Sequence, residues 1–281
     1  MSENNTVIRS NQNQYVSLCR GLSSKKNREE KQLFRFDGIK LTCEAVSRGV
    51  ELEMLVLREG AEEAVADKAR ELYNLEFDAL NCRKLTVSAD IFDKLTDEMS
   101  PEGVISIVRY MSDRHFDVSS NIDGARYDGE RVLLLESVRD PQNVGAIIRV
   151  AAAFAVDRIV MSRDCADIYN SKTIRASMGA LFGMKIDRCD DLPDAISCLR
   201  ASGRRVFAAA LDRDSVKLGS FDKRTSDCVI IGNEGHGLSR EIIDACDSTV
   251  FIPIADGVES LNAATAAAVL VWDFFGSSSA R

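Results

Sequence analysis

The stretch Val229-Ile-Ile-Gly-Asn-Glu-Gly-His-Gly-Leu-Ser239 carries an apolar run directly into a loop with three glycines in six residues. The apolar run predicts a buried strand over Cys228–Ile231, and a helix is predicted over Ser239–Cys246. Glycines let a backbone approach a ligand closely, and Glu234 at the tip of the loop belongs to no apolar pattern. Because the glycines are spaced as GxxGxG, the loop is neither a dinucleotide fingerprint nor a P-loop. A ligand-binding loop and a glycine-rich turn without a ligand both remain open.

A second polar segment, ESVRDPQNVGAIIR at residues 136–149, follows the strand predicted over Val132–Leu135. Pro141 and Asn143 are typical of a helix start. Arg149 comes nearly two turns after Asn143 and lies on roughly the same side of that helix. Its neighbours are apolar, so its side chain either extends to solvent or is held for an anion.

A third segment, FIPIADGVESLNA at residues 251–263, leaves a predicted strand at Pro253 and opens the last predicted helix, Leu261–Phe274. Ser260 and Asn262 are both favourable helix caps. Capping alone explains them, and the exposed amides of the helix end are equally suited to hold a ligand.

Strands and helices alternate from Arg131 onward, which predicts an α/β fold with a mostly parallel sheet and helices on both of its faces. Ligands bind such sheets at the carboxyl ends of the strands, where all three polar segments lie. The pattern before residue 111 predicts a small α/β domain that begins with a helix over Asn27–Phe34. Another helix is predicted over Ile174–Phe182. We therefore predict a flexible leader over 1–22, a small α/β domain over 23–110, a linker over 111–129 and a larger α/β domain over 130–281.

Composition excludes several classes of protein. No apolar run of the 281 residues approaches the ~20 residues that cross a membrane, and the polar N-terminus has no apolar signal core. A cytoplasmic location is therefore expected. The eight cysteines form no CxxC pair and there are two histidines, so no metal site is expected. The cysteines are interpreted as reduced core thiols.

The distribution of charge allows contact with nucleic acid. The net charge is −8, but residues 1–50 hold nine Lys/Arg against five Asp/Glu. Phosphate contact needs a local basic surface rather than a basic protein. A solvated helix face explains the basic N-terminal residues equally well.

The motifs, in order, resemble those of the SpoU family of RNA ribose 2′-O-methyltransferases. The similar segments are DPQNVGAIIRVAAAF (140–154), SKTIRASMGALF (171–182), IIGNEGHGLS (230–239) and IPIADGVESLNAATAAAV (252–269). The segments FDGIK and PEGVISIV of the first domain resemble, more loosely, the small RNA-binding module of members that modify ribosomal RNA.

The resemblance implies an α/β domain with a deep trefoil knot near its C-terminus, whose loops hold S-adenosyl-L-methionine, and an active site formed across a homodimer. It implies a catalytic role for Arg149, while His236 receives none. The other polar site residues that it implies are Asn143, Glu234, Ser260 and Asn262. The cofactor contacts that it implies are Gly232, Ile252 and Leu261, with Ile254 and Ala209 lining the same pocket.

We therefore predict an S-adenosylmethionine-dependent RNA 2′-O-methyltransferase, with ribosomal RNA favoured by the N-terminal module. Three alternatives remain. The substrate could be transfer RNA, or the chain could be a non-catalytic RNA-binding or ribosome-assembly protein on the same fold. A nucleotide-dependent oxidoreductase is disfavoured because GxGxxG is absent.

Overall fold

The computed structural model describes residues 7–118, 124–258 and 260–276. They form two compact units. The first contains the described residues up to Met111 together with Tyr169–Arg175, and the second contains Ser112–Ile168 and the described residues from Ala176 onward. Within these ranges, no helix has the length and apolar composition that crossing a bilayer requires.

The first unit is a four-stranded sheet covered by helices on both faces. The strands are β1 (Leu33–Asp37), β2 (Leu52–Arg58), β3 (Arg83–Val87) and β4 (Val104–Arg109), in the spatial order β1-β4-β2-β3. The helices are α1 (Gln14–Gly21), α2 (Lys25–Lys31), α3 (Ile39–Ser47), α4 (Glu62–Tyr73) and α5 (Ala89–Leu95). Successive residues of a strand point to opposite faces. Met54 and Val56 accordingly pack with residues of α1 and α5, while Leu55 and Leu57 pack with residues of α3 and α4.

The flexible leader predicted over residues 1–22 is wrong for residues 14–22. These form α1 and its C-terminal end, and Val16, Cys19 and Leu22 are buried in the core of the first unit. Their spacing of three residues places them on one face of a helix, although the polar residues between them conceal the pattern. Residues 1–6 of the predicted leader lie outside the described residues.

The helix predicted over Asn27–Phe34 is also wrong at its C-terminal end. Helix α2 ends at Lys31 because Gln32 adopts a left-handed conformation with φ of 54°. The chain then enters β1, which pairs antiparallel with β4.

The second unit has an eight-stranded sheet in the spatial order β10-β12-β9-β11-β6-β7-β8-β5, in which every pairing of the described strands is parallel. This arrangement confirms the predicted fold class. The strands are β5 (His115–Val118), β6 (Val132–Leu135), β7 (Arg158–Ser162), β8 (Lys185–Cys189), β9 (Val206–Ala209), β10 (Val216–Lys217), β11 (Cys228–Ile231) and β12 (Ser248–Phe251). The helices that follow α5 are α6 (Pro141–Ala153), α7 (Ser171–Ser177), α8 (Leu192–Ala201), α9 (Arg240–Ala245) and α10 (Ala263–Phe275).

Two predictions fail in this part of the chain, and two strands were missed. Residues 115–118 of the predicted linker form β5, an edge strand, while residues 119–123 lie outside the described part. The helix predicted over Ile174–Phe182 ends at Ser177, because Met178 and Gly179 both have positive φ and a short 3-10 turn follows. Strands β8 and β10 were not predicted. Lys185–Cys189 mixes charged and apolar residues without regular alternation, and the segment is too short to stand out.

The segment between β10 and β11 crosses the last helix. Helix α10 contacts helix α6 and strand β11. Phe221 lies 6.1 Å from Phe274 between ring centroids, and Lys223 forms an ion pair with Asp273. Contacts on α10 therefore come both from the sheet and from the preceding crossing segment.

Candidate active site

The polar segments converge at the point where the strand order of the second unit reverses. Strand β6 lies between β7, the next strand in the chain, and β11, which comes much later. Ligands bind at such a switch point, beyond the carboxyl ends of the strands. The ends of β6, β9, β11 and β12 and the first turns of α6 and α10 carry the residues considered below.

The loop after β11, residues 232–237, is a tight hairpin that we call the glycine loop. The backbones of Asn233 and Gly237 exchange hydrogen bonds of 3.1 and 3.0 Å. A Cβ on Gly232 would stand 2.5 Å from the carbonyl carbon of Gly237, so only glycine allows this approach. Gly237 itself has φ of +68°, which a residue with a side chain rarely adopts.

The side chain of Asn233 holds the glycine loop from within. Its Oδ1 accepts hydrogen bonds from the backbone N–H of Gly235 at 2.9 Å and of His236 at 3.2 Å. Its Nδ2 donates to the carbonyl oxygen of Ser137 at 2.7 Å. Asn233 therefore connects the glycine loop to Ser137, the second residue after β6.

Helix α6 begins beside the glycine loop. Asp140 caps it by accepting a hydrogen bond from the N–H of Gln142, and Pro141 is the first helical residue. Asn143, in the first turn, is buried. Arg149 is on the exposed side of the same helix, and its guanidinium forms no hydrogen bond or ion pair with any described residue.

The amides of Asn262 and Asn143 and the carboxylate of Glu234 form one hydrogen-bonded chain. Asn262 caps α10, and its Oδ1 accepts from the N–H of Ala264 at 2.9 Å and of Thr265 at 3.3 Å. Its Nδ2 donates to Oδ1 of Asn143 at 3.0 Å, and Nδ2 of Asn143 donates to Oε1 of Glu234 at 2.7 Å.

The direction of this chain follows from the helix cap. Because backbone N–H groups only donate, Oδ1 of Asn262 must face them and its Nδ2 must point toward Asn143. Asn143 then accepts with its oxygen and donates with its nitrogen. The carboxyl of Glu234 is left as the acceptor at the end of the chain.

A cavity of about 510 Å³ opens beside Glu234. All five positions expected to contact the cofactor line it, namely Ala209, Gly232, Ile252, Ile254 and Leu261. Glu234 and Ser260 line it as well, whereas Asn143, Asn262 and Arg149 do not. Asn143 and Asn262 join the site through Glu234, and Arg149 stands apart from it. The roles of these residues remain predictions.

Three residues around the site were missed from the sequence: Asn233, Ser137 and Asp164. Asparagine next to glycine is a frequent turn residue, so the signal for Asn233 was present. Partial burial raises the pKa of Asp164, but hydrogen bonds from Ser137, Ser162 and Arg139 outweigh it and lower that pKa to about 2. Nothing in the sequence pattern marks this cluster. Leu211, which is 80% exposed at the cavity, was also missed.

The cysteines agree with their interpretation as core thiols. All eight are free and five are buried. Burial raises the pKa of Cys165 and of Cys228 to about 11, so both thiols stay protonated at neutral pH. Among the described residues, no three His, Cys, Asp or Glu side chains are placed to hold a metal ion.

An α/β unit with a cavity of this size at its switch point and a hydrogen-bonded carboxylate on the cavity wall has the arrangement of a small-molecule binding or catalytic site. The model of the SpoU rRNA Methylase family matches residues 130–272, about half of the chain. The model of the MRM3-like substrate binding domain matches residues 13–106. The chain therefore belongs to the SpoU rRNA methylase family, as its motifs predicted.

Individual relatives extend over nearly the whole chain. The 23S rRNA (guanosine(2553)-2'-O)-methyltransferase RlmP of Bacillus subtilis is 31% identical over 270 residues, which cover 96% of this chain and 99% of the relative. The AdoMet-bound rRNA methyltransferase of Sinorhizobium meliloti is 29% identical, with a TM-score of 0.78 and coverage of 95% and 96%. The SpoU methyltransferase AviRb of Streptomyces viridochromogenes in complex with AdoMet, at 24% identity, TM-score 0.75 and coverage of 95% and 99%, shares the fold.

Proposed function

We propose that this protein is an S-adenosylmethionine-dependent RNA ribose 2′-O-methyltransferase whose substrate is ribosomal RNA. The observation that carries the proposal is the cavity beside Glu234, which gathers the five expected cofactor positions at one strand edge. Family membership supplies the reaction class. The similarity to RlmP and the substrate-binding domain over residues 13–106 favour ribosomal over transfer RNA.

The cavity fits S-adenosyl-L-methionine by size and by chemistry. About 510 Å³ lies within the range of cavities that hold small ligands. Ile252, Ile254 and Leu261 offer an apolar wall, and the glycine loop brings backbone polar groups to the edge. The carboxylate of Glu234 offers a negative charge to a cationic ligand. When bound, the cofactor supplies the methyl group and the leaving group for transfer.

The residues of the chain supply orientation and handling of the proton. Oε1 of Glu234 is occupied by Asn143, which leaves Oε2 to accept a hydrogen bond from the ribose 2′-hydroxyl. Ser260, on the cavity wall, can donate to the same ribose. A guanidinium gives up its proton only with great difficulty. We therefore assign Arg149 to the developing alkoxide or the adjacent phosphate rather than to proton removal.

Arg149 does not line the cavity of its own chain, and we propose that a second copy of the chain brings it to the reaction centre in a homodimer. The exposed side of α6 that carries Arg149 also carries Ala152 and Ala153. Phe154 follows at the end of the helix, and its ring centroid lies 5.4 Å from that of Trp272 on α10. Trp272 is 60% exposed, although a tryptophan favours burial. A second copy covering this face would bury Trp272 and enclose Arg149. Trp272→Ala should shift the protein toward monomer in sedimentation, and an unchanged dimer would place the interface elsewhere.

We also propose that the second unit contains the deep trefoil knot implied by the resemblance. The contacts of Phe221 and Lys223 with α10 support it, because an earlier segment lies against the last helix, as threading of that helix requires. Knots are rare enough that pattern-based reasoning alone would exclude one. A cytoplasmic location is likewise proposed, supported by the ribosomal RNA in the names of the relatives.

The proposed function is tested by incubating the protein with methyl-labelled S-adenosylmethionine and total bacterial RNA, followed by nucleoside analysis of each RNA fraction. Label in a 2′-O-methylnucleoside of ribosomal RNA is the expected result. Label only in transfer RNA would favour the other substrate. Cofactor binding without transfer to bare RNA directs the same assay to ribosomal subunits, and absence of both binding and transfer would favour a non-catalytic RNA-binding protein.

The variant Arg149→Ala distinguishes a catalytic role of the arginine from a structural one. Because the side chain of Arg149 neither lines the cavity nor forms a hydrogen bond or ion pair with a described residue, its removal should leave cofactor affinity nearly unchanged. Turnover should fall by about 100-fold or more, as for a lost electrostatic stabiliser. Calorimetry and the transfer assay measure the two effects. Weakened cofactor binding in this variant would make Arg149 a structural residue.

A further inference from the structure

Ser137, the second residue after β6, has a strained backbone and no unused polar group. Its φ is +53°, in the left-handed region that disfavours a residue with a side chain. Its N–H donates to Oγ of Ser162 at 2.8 Å, and its own Oγ donates to Oδ2 of Asp164 at 2.6 Å. Its carbonyl oxygen accepts from Asn233 at 2.7 Å. Hydrogen bonds thus fix the N–H, the hydroxyl and the carbonyl oxygen of Ser137.

Asp164 makes this conformation rigid. Its Oδ1 accepts from Oγ of Ser162 at 2.6 Å, so one carboxylate holds both serines. Arg139 donates to Oδ2 at 3.0 Å from the solvent side. Hydrogen bonds to a carboxylate are stronger than neutral ones. A strained residue persists where its surroundings fix it from several sides, and here those surroundings end at the glycine loop.

The same contacts continue into the candidate active site. Ser137 presents its carbonyl to Asn233, and Asn233 holds the N–H groups of Gly235 and His236, the two residues that follow Glu234. Asn143 holds the carboxylate of Glu234 from the other side. The place of Glu234 is therefore set by its own hydrogen bond and by the backbone on which it stands.

We propose that Ser137, Asp164 and Asn233 are positioning residues that fix Glu234 for methyl transfer. We call these three the loop anchor. This inference rests on the proposed function and deepens it, because it assigns a role in the reaction to residues that are not among the expected catalytic residues or cofactor contacts, although Asn233 also lines the cavity. The loop anchor acts through Glu234, so its effect should exist only while Glu234 is present.

A double-mutant cycle tests that dependence. Asp164→Ala should lower kcat about fivefold to tenfold, the effect of one or two hydrogen bonds, with less than about a threefold change in cofactor Kd because the Asn233–Gly237 backbone bonds remain. Added to Glu234→Gln, the same change should have no further effect on kcat. Ser197→Ala is the matched control, since it removes one serine hydrogen bond on α8 and should leave kcat unchanged in both backgrounds. Effects of Asp164→Ala that multiply with those of Glu234→Gln would overturn the proposal.

Hydrogen–deuterium exchange gives a readout that needs no activity. The amides of Gly235 and His236 should exchange faster in Asp164→Ala and in Ser137→Ala than in the wild type, and at the wild-type rate in Ser197→Ala. Ser137→Gly relaxes the backbone and loses the same hydroxyl, so it provides a second variant if Ser137→Ala folds poorly. Unchanged exchange in folded variants would overturn the loop anchor. An inactive wild type with faster exchange in the variants would reject the proposed function and keep the anchoring of the loop.

Discussion

Gly232→Ala should weaken cofactor binding while sparing the fold. A Cβ at this position would stand 2.5 Å from the carbonyl carbon and 2.6 Å from the carbonyl oxygen of Gly237, and 2.6 Å from the N–H nitrogen of Leu238. Ordinary contact of a Cβ begins near 3.4 Å. The loop must therefore open by about 0.9 Å, and the obstacle is backbone, which no rotamer change can move aside.

The magnitude follows from the bonds that this opening breaks. The Asn233–Gly237 pair contributes two backbone hydrogen bonds of 3.1 and 3.0 Å. At about 1 kcal/mol each, their loss amounts to about 2 kcal/mol. If the loop must close again to hold S-adenosylmethionine, its affinity falls about thirtyfold. Titration calorimetry measures the affinity, and circular dichroism melting measures the stability.

Gly235→Ala is the matched control in the same loop. A Cβ at Gly235 would stand 3.5 Å from Oδ1 of Asn233, which is ordinary contact, and the backbone there is not in the left-handed region. Its affinity should stay within about threefold of wild type, the cost of less than 1 kcal/mol. Wild-type affinity in Gly232→Ala would refute the close-approach argument. Equal losses in both variants would show that the loop responds to any side chain.

Two further predictions concern buried charge. Burial raises the pKa of Asp37 to about 6, above its unfolded value near 4. The folded state therefore holds the proton more tightly, and ionisation costs stability as the pH rises from 4 to 6. Asp37→Asn should stabilise the first unit by up to about 3 kcal/mol at pH 8 and by little at pH 4; thermal melting at both pH values measures this, and an equal gain at both would contradict it. Asp187 is fully buried and lies 2.9 Å from the guanidinium of buried Arg158. Asp187→Ala should cost about 3 kcal/mol in urea unfolding, whereas Asp190→Ala, which breaks a half-exposed pair, should cost about 1 kcal/mol or less; similar costs would mean that burial of the pair is unimportant.

The sequence predicted the parts of the fold that a local pattern records. The fully buried run Cys228–Ile231 and the glycines behind it located β11 and its loop, and the cofactor positions taken from the family motifs do line one cavity. Composition concealed the amphipathic spacing of α1. Gln32, with its left-handed conformation, ended a helix that propensity alone would have continued.

The connections within the site could not be predicted in the same way. Asn143 and Asn262 are 119 residues apart in the chain, and their bond exists because the sheet brings α6 and α10 together. The positive φ of Ser137 could not be predicted from the sequence, because serine does not favour a left-handed backbone. Long-range pairing and backbone strain are properties of the assembled sheet.

Asn262, the N-cap of α10, tolerates fewer substitutions than an ordinary capping residue. Serine, aspartate and asparagine cap helices about equally well, so a capping position ordinarily drifts among them. Asn262 also donates to Asn143, and only asparagine among the three has its acceptor and its donor on two separate atoms, an oxygen for the helix and an N–H for its neighbour. A change to aspartate would keep the helix and set two oxygens against each other, reversing the order of donors that ends at Glu234. The helix cap alone would allow serine or aspartate at residue 262. The hydrogen bond from Asn262 to Asn143 restricts the position to asparagine.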